Sequence, residues 1–381
     1  MSLKKIYYEK GNIPILDGLR GSAAILVLIS HIFINQFKCF PLIDAFVIFS
    51  GHSGVELFFV LSGFLISYPF WRDYYFDKIT FSYRNFYIRR ALRVLPLFYI
   101  SSILFILLSL FLNKDINAHL KIIPFYIFQI HNFFSKINFI NPPTWTVAVE
   151  LHFYILIYFF FMWKGTTNLK NTIITLFSIL FILFIYKACA YTHVNNAENY
   201  RNLIYANTFA RLDQFIVGIF LALLYNLMTQ FDYFYKNIVS YRLIYFILGI
   251  LLLFILSYSE YSLIKSENIY NNINYIIINP TITAIAWGLI LLSGLSNLNF
   301  ISHFFSSNIL SMLGKLSFSI YLLHMPVYSW IFKPLYMKHI SSNELSCSIL
   351  FIPLIIVISF FSFTLIEKPF LKIKSKYLSV V

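Results

Sequence analysis

An all-α bundle of about ten transmembrane helices is the fold this sequence predicts, and three observations predict it. Of 381 residues, 59% are hydrophobic and only 12% charged, giving a mean hydropathy of +0.75. The apolar residues fall in blocks of about 20, the length at which a helix crosses ~30 Å of hydrocarbon. The charges collect at the edges of those blocks, where membrane topology requires them. Runs such as ISSILFILLSLFL (100–112) lack the period-two alternation of a barrel strand.

The spans follow in order. The first, 15–35, comes after Lys4, Lys5 and Lys10 with no small-residue cleavage site, and reads as a retained signal anchor. The second, 54–71, leads into the basic stretch WRDYYFDKITFSYRNFYIRRALR (71–93), from which the third, 94–113, departs. The block LKIIPFYIFQIHNFF (120–134) is short and broken by Pro124, so it predicts a re-entrant or interfacial segment. The fourth, 144–163, starts after Pro142 and Pro143, an efficient helix entry, with Trp145 at interfacial depth. Spans at 170–190, 207–228, 242–258, 275–296, 313–333 and 348–367 complete the ten.

With a cytoplasmic N-terminus, this arrangement puts most of the 29 Lys and Arg residues on the cytoplasmic side. The loop 71–93 contributes heavily, as do Lys368, Lys372, Lys374 and Lys376 in the tail. The expectation is a multi-pass protein of the plasma (bacterial inner) membrane. It forms one domain over about 12–370 of residues 1–381, with short basic cytoplasmic tails and no internal repeat or linker. The net charge of +14 is accounted for by topology and calls for no nucleic-acid partner; membrane lipid is the expected surroundings. Cys39, Cys189 and Cys347 have no C-x-x-C spacing, so neither a metal nor a redox site is expected, and their pairing stays open. So does the oligomeric state.

The stretch LDGLRGSAAILVLISHIF (16–33) carries Arg20 and His31 inside an apolar span. Eleven residues are three helical turns, leaving about 20° of rotation and ~16 Å of rise between them. Both side chains therefore share a face, Arg20 in the inner third of the membrane and His31 near the outer third. A fixed cation at one depth and an imidazole at another suit an anionic donor and a hydroxyl acceptor. Glu150, in NPPTWTVAVELHFY (141–154), sits about 7 Å below the outer surface, close to the depth of His31. It is expected to orient that imidazole, with Arg211 of FARLDQFIVG (209–218) as the competing partner. In YIRRALRVLP (87–96), Arg89, Arg90 and Arg93 cluster at the cytoplasmic end of the third span, and guanidinium forks suit phosphates. His324 lies mid-span in SFSIYLLHMPV (317–327), in a packing or a chemical role. GHSG (51–54) reads as a Gly/Ser turn before a span, with an intramembrane serine protease using Ser53 as the rival reading.

In this order these motifs resemble the acyltransferase-3 family of integral-membrane acyltransferases, over nearly the whole chain. The carrying residues are LDGLRGSAAILVLISH with its Arg-x10-His spacing, GVELFFVLSGFLIS (54–67), YIRRALRVLPLFY (87–99), PTWTVAVELHFY (143–154), ARLDQFIVG (210–218), SFSIYLLHMPV and a closing IEKPF (366–370). The resemblance implies a ten-helix domain that takes an acyl group, usually acetyl, from cytoplasmic acyl-CoA and transfers it to a hydroxyl of an acceptor on the other side. That acceptor is most often a cell-surface saccharide, such as O-antigen, capsule or exopolysaccharide. It also implies that Arg20 and His31 are essential. Arg89, Arg90 and Arg93 would serve the CoA phosphates, Glu150 the catalytic cavity, and Arg211, Trp145 and His324 the acceptor side or its support. Some members add an extracytoplasmic hydrolase-like domain; the sequence here continues only briefly past the tenth span, so the domain finishes the transfer itself or passes the acyl group to another protein. A transporter or flippase of glycans or acylated small molecules is the alternative, less favoured because no paired repeats are visible.

Overall fold

The computed structural model describes residues 13–76, 82–112, 116–134, 141–164, 168–266, 272–295 and 300–376. Among them there is no strand, and nine helices are long and apolar enough to cross a membrane. They are α1 (Pro14–Phe33), α2 (Pro41–Trp71, prolonged by a wide turn over Arg72–Phe76) and α3 (Tyr83–Phe111). After the short α4 (Ile116–Ile127) come α5 (Trp145–Lys164), α6 (Leu169–Tyr191), the one-turn α7 (Ala197–Tyr200) and α8 (Thr208–Gln230). Then follow α9 (Asp232–Lys265), α10 (Ile273–Ile277), α11 (Asn279–Gly294) and α12 (Phe300–Phe305). The chain closes with α13 (Asn308–Pro326), α14 (Lys333–His339), α15 (Glu344–Ser362) and α16 (Lys368–Lys376). The apolar α11, 16 residues long, stands where the eighth span is predicted and is entered through α10.

Among the described residues, the block at 120–134 gives no helix of spanning length. It forms the 12-residue α4 around Pro124 and then a single turn over His131–Phe133, the short segment that its length and proline predict. The second span departs from prediction at its start. Gly51, Ser53 and Gly54 lie within α2, which begins at Pro41, and they form no turn. Their smallness serves packing instead: a Cβ on Gly51 would come 2.6 Å from Ser30 Oγ, and one on Gly54 2.7 Å from the Ala23 carbonyl oxygen. Ser53 Oγ accepts a hydrogen bond from Trp287 Nε1 at 2.8 Å, a structural engagement between α2 and α11.

At the centre of the bundle is α2, buried along most of its length and packed chiefly against α1 and α8, while α1 packs on α13. By contrast α6, α9 and α15 expose most of their apolar residues, as an outer layer facing lipid does. Without a hydrophobic drive between helices in lipid, close backbone approach must hold the centre, and small residues permit it. Gly63 of α2 and Gly218 of α8 meet at that crossing, where a Cβ on either would fall inside the partner's backbone. Gly63→Val is therefore expected to cost about 3 kcal/mol or more, enough to remove the folded species. The fraction of chain eluting as a single detergent-solubilised peak reads this out. One buried ion pair is matched inside the bundle: Lys187 Nζ bonds Asp213 Oδ2 at 2.6 Å, and Thr281 bonds the same oxygen. Cys39 and Cys189 are exposed and Cys347 buried, each a free thiol.

Candidate active site

The direction of the helices sorts the site into two ends. The starts of α1, α3 and α13 lie at one end, together with the basic cluster of α3, and is called the basic end below. The starts of α2, α5 and α8 lie at the opposite end.

A cavity of ≈ 70 Å³ opens between α1, α2, α3, α5 and α13. Arg20, Arg90 and Arg93 line it, facing Glu150, Ser62, Thr146, Ser317 and Tyr321. Three guanidiniums against one carboxylate leave the cavity positive. Arg20 is partly offset by Asp17, one turn earlier at 4.0 Å. Arg90 donates to the Leu65 carbonyl at 3.4 Å and lies over the rings of Phe86 and Tyr154, a setting in which the planar guanidinium packs on apolar faces. Arg89, on the same helix, is not part of the lining.

Glu150 belongs to this cavity. Its Oε1 accepts from Ser62 Oγ at 2.8 Å and from the Tyr154 hydroxyl at 2.5 Å. The depth argument pairs it with His31 or Arg211, whereas the structure gives it Ser62 and Tyr154 because α5 turns that face toward α2 and the cavity. Arg211 is engaged elsewhere: its Nη1 lies 3.6 Å from Glu56 Oε1, its Nε donates to the Tyr205 carbonyl at 2.7 Å, and its Cζ sits over the rings of Tyr205 and Trp145 at 4.9 and 5.7 Å.

His31 has a different partner. Its Nδ1 lies 2.9 Å from His324 Nε2, and His324 Nδ1 lies 3.0 Å from the Ile320 carbonyl oxygen. A carbonyl only accepts, so His324 Nδ1 carries a proton and donates it. In the neutral ring His324 Nε2 is then the acceptor, which makes His31 Nδ1 the donor and leaves the lone pair of His31 on Nε2. The orientation expected from a carboxylate is supplied by a second imidazole braced on a backbone carbonyl. Arg20 lines the arginine-lined cavity and His31 is not among its lining residues. Tyr321 spans the gap: it lines the arginine chamber, accepts from Thr146 Oγ1 at 3.0 Å, and its ring lies 6.1 Å from that of His324 one turn further on.

Sequence reasoning missed Glu56, Ser62, Tyr154 and Tyr321. Glu56 had a signal, being an isolated carboxylate in an apolar run; the others are ordinary residues until the packing places them. Tyr205 stands at the opposite end between α7 and α8, where burial pushes its phenol above the ordinary range and keeps it a neutral donor. Among the described residues, no group of three or more His, Cys, Asp or Glu is placed to hold a metal.

Comparison with known proteins gives a consistent result. The family model described as an acyltransferase domain, of acyltransferase-3 type, matches residues 13–367. A Staphylococcus aureus (strain COL) protein provisionally named an O-acetyltransferase is 27% identical over 390 positions, covering 96% of this chain and 58% of that protein. The O-acetyltransferase OatA of Staphylococcus aureus (strain NCTC 8325 / PS 47) is 28% identical over 347 positions, covering 86% of this chain and 52% of its own length. A shorter match, 28% over 161 positions, covers 39% of this chain and 24% of the peptidoglycan O-acetyltransferase OatA of Listeria monocytogenes. The chain thus spans little more than half the length of the first two. No solved structure matches it.

Proposed function

The chain belongs to the acyltransferase-3 family of integral-membrane acyltransferases, and from that premise we propose that it is an O-acetyltransferase taking acetyl from acetyl-CoA at its basic end and delivering it to a saccharide hydroxyl at the opposite end. The observation that carries this reading is the His31–His324 pair, with its free lone pair on His31 Nε2, set one helical turn beyond an arginine-lined cavity.

The basic end faces the cytoplasm, as the distribution of Lys and Arg favours. The donor's phosphates engage Arg90 and Arg93, with Arg89 at the mouth and Arg20 deeper in. The thioester arm reaches into this chamber, its amides within reach of Glu150. The thioester rests toward the Thr146–Tyr321 end. An acceptor hydroxyl arriving from the other side gives its proton to His31 Nε2 as its oxygen bonds the thioester carbonyl carbon. The carbon–sulfur bond breaks, CoA leaves as the thiolate, and the thiolate takes the proton held by the His31 imidazolium, which returns the ring to its neutral form. His324, hydrogen-bonded to His31 Nδ1, holds the ring in place and accepts the stronger hydrogen bond of the imidazolium. Arg211 and Trp145 support the acceptor side through Tyr205.

The test is mass spectrometry of surface glycans from cells with and without this chain. Acetate esters should appear only with it, and their absence would overturn the reading. Acetyl-CoA should also raise the thermal midpoint of the purified protein, since binding to the folded state alone stabilises it; a transporter of glycans would show no such shift. His324→Phe, which removes the acceptor of the His31 Nδ1 proton while filling the space, is expected to cost roughly 10- to 100-fold in kcat with acetyl-CoA KM little changed. A steady-state comparison with the parent checks this.

A further inference from the structure

A second imidazole at the opposite end is absorbed by none of this. His52 of α2 has its Nδ1 2.9 Å from Glu260 Oε1 of α9, and the Tyr275 hydroxyl of α10 donates to the same oxygen at 3.1 Å. Glu260 Oε1 accepts from both groups, so His52 Nδ1 donates and Nε2 is the ring nitrogen left outside this anchoring bond. The carboxylate is 3% exposed and the imidazole 34%, so the ring is anchored from beneath and presents its other edge outward. The ring of His52 meets the edge of Tyr205 at 5.3 Å, and Tyr205 is backed by Trp145 at 4.8 Å and by the Arg211 guanidinium. His52 and His31 are brought close by the α1–α2 crossing, where Gly51 sits against Ser30, the residues immediately before each histidine.

Arg211 pairs with Glu56 and Lys265 with Asp44, and Arg201 also lies within electrostatic reach of Tyr205. The exposed edge itself offers an imidazole, a phenol and an aromatic face, which is the chemistry that recognises a polyhydroxyl compound. Building on the acyltransferase reading above, we propose that His52, held by Glu260 and walled by Tyr205, is the acceptor-binding subsite, gripping the hydroxyl next to the one that His31 deprotonates. His52 then holds the second hydroxyl of a saccharide diol and determines which oxygen is acylated.

The test uses the full chain in detergent or nanodiscs, acetyl-CoA as donor, and as acceptor the surface-glycan fraction that gains acetate in expressing cells, stripped of esters with mild base. His52→Gln is expected to raise acceptor KM about 10-fold, the loss of one hydrogen bond to an anchored group. The acetyl-CoA KM should stay within twofold. Tyr275→Phe, which removes only the second hydrogen bond to Glu260, should raise acceptor KM two- to fivefold and remains informative where the His52 variant fails to fold. An acceptor lacking the adjacent hydroxyl should show no further loss in the His52 variant, as a cycle through one shared contact requires. Equal shifts in donor and acceptor KM, or an unchanged acceptor KM, would overturn this assignment while leaving the acyltransferase reading in place. No glycan fraction gaining acetate would overturn that reading first.

Discussion

Replacing His31 with Gln is expected to lower O-acetyl transfer by about 10²- to 10⁴-fold, the range a positioned base contributes. The amide keeps a donor for His324 Nε2 and nearly the volume of the ring, so membrane abundance and thermal midpoint should match the parent. What it loses is a lone pair basic enough to take a hydroxyl proton. Glycan acetate per unit of membrane protein measures the effect, and transfer within threefold of the parent would remove His31 from the role of base. The size of the effect follows from the tautomer chain, because His324 Nδ1 donates to the Ile320 carbonyl and His31 Nδ1 donates to His324 Nε2, which puts the lone pair of the neutral His31 ring on Nε2.

The second large effect belongs to Arg20. Three guanidiniums and a single carboxylate line the chamber, and a charge-assisted hydrogen bond to phosphate or thioester oxygen is worth about 1.5–3 kcal/mol. Arg20→Ala should therefore raise the acetyl-CoA KM by about 10- to 150-fold and leave the acceptor KM within twofold. Radiolabelled acetyl-CoA binding to purified protein checks it directly, with binding equal to the parent as the contrary result. Arg20→Lys should recover only part of the loss, since a point charge does not reproduce the planar fork.

Much of the fold was legible because lipid constrains it so tightly. Every backbone polar group must be satisfied inside the span, so hydrophobic length and edge charge nearly determine where helices run. The start of α2 was not legible. Gly51, Ser53 and Gly54 have the composition of a turn and the function of a helix-packing face, and only the position of α1 distinguishes the two. The site was half legible for a related reason. Sequence spacing fixes a residue's height along its own helix and its angle relative to other residues on that helix. It says nothing about which neighbour the helix turns that face toward. Glu150 and His31 stand at similar depth, yet α5 directs Glu150 to Ser62 while α1 directs His31 to His324, 293 residues away in the chain. The same limit hid His52, whose partner Glu260 is 208 residues distant.

The central claim is that a donor held at the basic end is consumed by an acceptor at the opposite end of one bundle. Reconstitution in vesicles with a single orientation tests it most directly, with radiolabelled acetyl-CoA on one side and de-esterified glycan on the other. Label should enter the glycan when acetyl-CoA is on the side of Arg90 and Arg93, and not when the two compartments are exchanged. Equal labelling from either side, or labelling only when donor and acceptor share a compartment, would contradict the account.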